Sequence, residues 1–127
     1  MNIRAEDLVD AVSEELDIYA GEVADTVKKT VTAVGKETVK VVKQKSPSAS
    51  GAYKKSWAQK KTYDKAGSIQ VTVYNRKHYQ LTHLLENGHA KTNGGRTRAF
   101  PHIAPAEEFA ERELEQELRR KLGEGNP

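Results

Sequence analysis

No cysteine occurs anywhere in the chain. That absence excludes a disulfide-stapled scaffold, a thiolate zinc site, a thiol nucleophile and an iron–sulfur cluster. Aromatic residues are scarce as well, with one Trp, two Phe and five Tyr among 127 residues. Those that build the core are not free to form a binding surface. No stretch approaches the roughly 20 consecutive apolar residues of a membrane helix. The opening MNIRAEDLVD has no basic segment followed by an apolar run, so no signal peptide is expected. At this length, with 36% hydrophobic residues, one domain with a thin core is expected, without room for a separate catalytic domain.

Charge is what the chain has in quantity. The net +3 conceals three blocks: residues 1–27 carry −7, residues 28–105 carry +13 and residues 106–127 carry −3. Segregation on this scale points to a partner or to self-association, unless it only marks helices solvated by one sign of charge.

Hydrophobic spacing predicts a long amphipathic N-terminal helix over residues 1–45. Leu8, Val12, Leu16, Tyr19, Val23, Val27, Val31, Val34, Val41 and Val42 recur at helical intervals. Gly21 and Gly35 weaken it by about 1 kcal/mol each, and Ser46-Pro47 ends it. Forty helical residues span about 60 Å, against a diameter of roughly 36 Å for a domain of this size. Either the helix breaks near Gly21 or its overhang packs on another subunit.

Residues 46–104 read as a β-rich core. Ala52–Ser56 suits one or two helical turns. Trp57–Tyr63 and Ile69–Asn75 suit a hairpin turned by Asp64–Ser68. Tyr79–Glu86 suits a short helix with Leu81, Leu84 and Leu85 inward, closed by Asn87-Gly88. Residues 89–98 form a polar, mobile loop, and Pro101–Pro105 brackets an extended piece suited to a sheet edge. A C-terminal helix over 105–122 starts at Pro105 in a first-turn position and stops at Gly123. Its stripe is Ala106, Phe109, Ala110, Leu114, Leu118 and Leu122, with Glu107, Glu108 and Glu111 early and Arg119, Arg120 and Lys121 late, as the helix dipole favours. The fold class is therefore α+β, a single domain over 1–127.

The catalytic inventory is thin. His78, His83, His89 and His102 match no familiar metal-ligand spacing, and on one helix the first two would lie about 140° apart. Surface or locally hydrogen-bonded imidazoles are the expectation. Gly94-Gly95-Arg96 lacks the spacing of a phosphate-cradling loop, and Ser46, Ser48, Ser50 and Ser56 have no legible His–acid partners. No cofactor and no metal is expected, and the chain reads as non-enzymatic. Lys54, Lys55, Lys60, Lys61, Lys65, Arg76 and Lys77 interleave with Tyr53, Trp57, Tyr63 and Tyr74. A basic nucleic-acid-binding module is thus the alternative to core plus solvated face.

Three ordered blocks carry a family resemblance. They are Lys45-Ser46-Pro47-x-x-Ser50-Gly51-x-Tyr53-Lys54-x-Ser56-Trp57, then Tyr79-x-Leu81-x-x-Leu84-Leu85-Glu86-Asn87-Gly88-His89-Ala90-Lys91, then Arg98-x-Phe100-Pro101-His102-Ile103-x-Pro105-Ala106-Glu107. Over about residues 40–110 the chain resembles the small tail-component family of long-tailed bacteriophages, the tail-completion or head–tail joining proteins. The resemblance implies an α+β virion structural protein without catalysis. It would assemble with itself as a ring, a hexamer or dodecamer, against neighbouring neck, connector and tail proteins. DNA would only pass through its channel, and no membrane is involved. Its place would be the neck or tail end of the virion, and the host cytoplasm before assembly. Under the resemblance, Ser46, Pro47, Ser50, Gly51, Tyr53, Trp57, Glu86, Gly88, His89, Phe100, Pro101 and Pro105 define fold and assembly. Lys91, Asn93, Gly94, Gly95, Arg96 and Arg98 form an assembly loop.

Overall fold

The computed structural model describes residues 21–47 and 51–123. The expected helix before residue 21, any break near Gly21, Ser48, Ser50 and the C-terminal residues 124–127 lie outside them. The elements run in the order α1 (Gly21–Lys45), α2 (Ala52–Lys55), β1 (Trp57–Lys65), β2 (Ser68–Asn75), a 3-10 turn (Tyr79–Leu81), α3 (Thr82–Asn87) and α4 (Ile103–Leu122). This is the expected α+β arrangement, with a two-stranded antiparallel sheet.

Helix α1 is the central element. Val27, Val31, Val34 and Val42 are buried on it, as the apolar spacing predicts. Thr30 and Thr38 share that buried stripe. They can do so because each hydroxyl donates to the carbonyl four residues back, Thr26 and Val34, both at 2.7 Å. The stretch rich in β-branched residues is therefore helix throughout, including Val39–Val42.

One side of α1 receives the hairpin, the other receives α4. Strands β1 and β2 pair from Trp57↔Asn75 to Lys65↔Ser68, with an irregularity at Thr62. The turn is only Ala66-Gly67, so both strands reach further into the expected turn than their apolar spacing shows. Ile69, Val71, Val73 and Asn75 alternate onto the buried face. Gly35 lets the hairpin approach, since a Cβ there would collide with Gln59 Oε1 and stand 3.1 Å from Val71 Cγ1. Its cost in helix propensity is tied to a close packing of helix on sheet.

Helix α4 buries Ile103, Ala106, Ala110 and Leu114, at steps of three and four. Leu118 packs at the margin of the core, and Leu122 is 43% exposed, so the expected stripe ends before the helix does. The helix begins at Ile103, two residues before the expected start, which corrects the sheet-edge reading of Pro101–Pro105. Pro105 still falls in the first turn, where its missing N–H costs no intrahelical bond. A second correction concerns Leu81. It is 41% exposed, because the first turn is 3-10 rather than α and rotates Leu81 off the inward face, leaving Leu85 packed against the core.

Candidate functional site

A buried hydrogen-bond network lies where α1, α2, the end of α3 and the start of α4 meet. The first four N–H groups of any helix lack intrahelical partners and carry the positive end of its dipole. The opening turn of α4 contains no acid of its own. Glu86, on α3, supplies the carboxylate instead: Oε1 accepts from the backbone N–H of His102 at 2.7 Å and Ile103 at 2.8 Å, and Oε2 from Ala104 at 3.0 Å. Partial burial opposes its charge, yet the His102 ring and the three backbone donors outweigh burial and hold the carboxyl down at about 2.

His102 is wholly buried beside it. Its Nδ1 lies 2.6 Å from the Phe100 carbonyl oxygen and 2.9 Å from Glu86 Oε1, two acceptors, so Nδ1 carries a proton. In the neutral imidazole, Nε2 then accepts the Tyr53 hydroxyl at 2.7 Å. Burial, with the Glu86 carboxylate nearby, pushes the Tyr53 hydroxyl above its usual value. The Tyr53, Trp57 and His102 rings pack edge to face, with centroids 5.5–6.0 Å apart. Trp57 Nε1 donates to Ser46 Oγ at 3.0 Å, and the Ser46 hydroxyl donates to the Val42 carbonyl, closing the end of α1. Asn75 completes the network, donating to the Tyr53 carbonyl at 2.9 Å and accepting from His78 N–H.

Of the residues singled out in the sequence, the structure gathers Ser46, Tyr53, Trp57 and Glu86 into this network. Pro47 stands half-buried at the exit of α1, and Gly51 precedes α2. Gly88 ends α3 at φ +73°, and a Cβ there would stand 2.6 Å from the Thr97 carbonyl oxygen. His89, Phe100 and Pro101 are exposed, and Pro105 lies in α4. Ser50 lies outside the described residues. The sequence reading missed His102 as the hub. The signal for it was the start of a helix just after Phe100-Pro101, whose first backbone N–H groups need an outside acceptor.

The 89–98 segment forms a small finger apart from that network. Ala90 bridges Arg96, Lys91 N–H donates to the Gly95 carbonyl at 3.0 Å, and Thr97 N–H to the His89 carbonyl at 2.8 Å. Lys91, Asn93, Gly94, Gly95, Arg96 and Arg98 are all exposed on it.

The basic–aromatic cluster separates into three parts. Tyr53 and Trp57 belong to the core. On the hairpin, Lys60 covers the Tyr74 ring at 4.5 Å and Lys65 the Tyr63 ring at 5.5 Å, so the chain's own ammonium groups sit where a base would stack. Lys54 and Lys55 turn instead toward α1. There, with Lys40 and Lys43, they rim an open groove of about 630 Å³ whose apolar lining includes Val41 and Phe109. Among the described residues, no group of three or more His, Asp or Glu side chains is arranged to hold a metal ion, and no helix is long and apolar enough to cross a membrane.

The Glu86–His102–Tyr53 network and the Trp57–Ser46 bond join helices to one another and to the sheet, a structural use of buried polar groups. The chain belongs to the HK97-gp10-like family, described as "Bacteriophage HK97-gp10, putative tail-component", whose family model matches residues 10–88, more than half its length. It is a bacteriophage tail component, a structural part of the virion that associates with other tail proteins, and not an enzyme. The matched region spans α1, the hairpin and α3 and ends at Gly88, so Glu86 lies inside it and His102 beyond it. Searches of curated proteins and of solved structures returned no match to this chain.

Proposed function

We propose that this tail component acts in tail completion or head–tail joining, as a ring of identical subunits at the neck or tail end of the virion. The observation that carries the reading is the ordered segregation of charge, −7, +13 and −3, on a chain of this family. An acidic end on one subunit and a basic middle on the next make a head-to-tail contact, and head-to-tail contacts close into a ring when the rotation between subunits permits. Charge of this kind steers encounter and fixes register, while apolar burial supplies adhesion. Six or twelve copies around a channel would leave DNA as a passing cargo rather than a ligand. The exposed finger at 89–98 would meet the adjoining ring.

Electron microscopy of particles made with and without this protein tests the reading. Unjoined heads and tails in its absence, and a ring-shaped density at the neck or tail end in its presence, are expected. Labelled protein found along the length of the tube would overturn it.

A further inference from the structure

The lysine-rimmed groove combines a basic rim with an apolar floor. Lys40, Lys43, Lys54 and Lys55 stand around Val41 and Phe109. Lys40 shares its charge with Glu37, 3.4 Å away and also at the groove. Lys43, Lys54 and Lys55 make no ion pair among the described residues. Four ammonium groups against one carboxylate select an acidic occupant, and the floor selects one with apolar side chains at helical spacing.

The chain contains such a segment. Residues 1–20 hold Glu6, Asp7, Asp10, Glu14, Glu15 and Asp17 against Arg4 alone, with Leu8, Val12, Leu16 and Tyr19 spaced as one helical stripe. We propose that this acidic N-terminal segment of one copy docks in the lysine-rimmed groove of the next. Leu and Val side chains fill the floor, and the flanking carboxylates face the lysine rim. The proposal rests on the ring reading and gives it an interface.

The occupant is assigned to a second copy because the proposal rests on a ring of identical subunits. The groove lies along Glu37–Gln44, and α1 runs without interruption from Gly21, so the groove starts about 24 Å from the point where residue 20 joins. Docking of this segment on another copy joins different surfaces on the two copies, as a closed ring requires.

The absence of native cysteine makes the test clean. Full-length Val12→Cys protein is mixed with full-length Lys55→Cys protein under mild oxidation, alone and on isolated tails. A disulfide-linked dimer containing one copy of each is expected. The Lys43→Glu/Lys54→Glu pair, introduced into the Lys55→Cys chain, should abolish that dimer. Adding Asp10→Lys/Glu14→Lys to the Val12→Cys chain should restore it, which loss of folding would not allow. An intramolecular disulfide in the Val12→Cys/Lys55→Cys double variant, with no mixed dimer, would overturn the second-copy assignment. Mixed dimers that ignore the charge reversals would overturn the groove. Groove variants that lose affinity for duplex DNA while the mixed dimer persists would reassign the lysines to nucleic acid. Rings on tails without any cross-link would remove this interface and leave the ring reading standing; no ring and no cross-link would remove both.

Discussion

At the residue scale, Glu86 ties two helices together with one carboxylate. Its side chain is only 13% exposed, and four donor contacts converge on it, three from backbone N–H groups and one from the His102 ring. Because its carboxyl is held at about 2, below the ordinary 4.5, the folded state favours the ionised form. The resulting stability is fully present above about pH 4.5 and is lost as pH falls toward 2, on the order of 3 kcal/mol in all. Glu86→Gln should therefore lower stability near neutrality and flatten the acid side of the stability curve. Urea unfolding at pH 6 and pH 3 checks this: the gap between wild type and variant should be clearly smaller at the lower pH. Gly88 is the second sensitive point. With φ at +73° and the Thr97 carbonyl oxygen 2.6 Å from any added Cβ, Gly88→Ala should cost about 2–3 kcal/mol, read as a fall in thermal midpoint.

At the scale of elements, the order of helices and strands was legible because each carries its own period. Val27, Val31 and Val34 mark a helix, and Ile69, Val71 and Val73 mark a strand, without reference to anything distant. What was not legible depended on contacts across the chain. The start of α4 at Ile103 needs the carboxylate of Glu86, 17 residues earlier, and spacing carries no trace of that pairing. Likewise, burial of His102 follows from the meeting of Tyr53, Trp57 and Glu86, which lie on three separate elements. The groove escaped notice because its lysines come from α1 and α2 and its Phe109 from α4. The small residues of α4, by contrast, were read as stripe and prove to set a distance. Ala106 and Ala110 are wholly buried against α1, so Ala110→Leu forces the helices apart. A loss of about 1–3 kcal/mol is expected, measurable by denaturant unfolding, whereas Glu115→Ala on the exposed face should change little.

For the whole molecule, the question is what charge does once apolar contact is available. The acidic ends and the basic middle lie far apart in sequence, and the described surface keeps lysines clustered along the second half of α1 and α2. Surface charges at these separations are screened over about 8–10 Å at moderate salt. Apolar burial is not screened. Raising salt from about 0.05 M to 0.5 M should thus slow self-association sharply while changing the final size of the oligomer little. Time-resolved light scattering at the two concentrations separates these quantities. A final size that collapses with salt would mean that charge, not apolar contact, holds the copies together. A strict monomer at high protein concentration in both conditions would mean that ring closure waits for the tail as a template. In that case the Asp10→Lys/Glu14→Lys protein should fail to incorporate into tails, and its incorporation at the wild-type level would place the adhesive contact elsewhere.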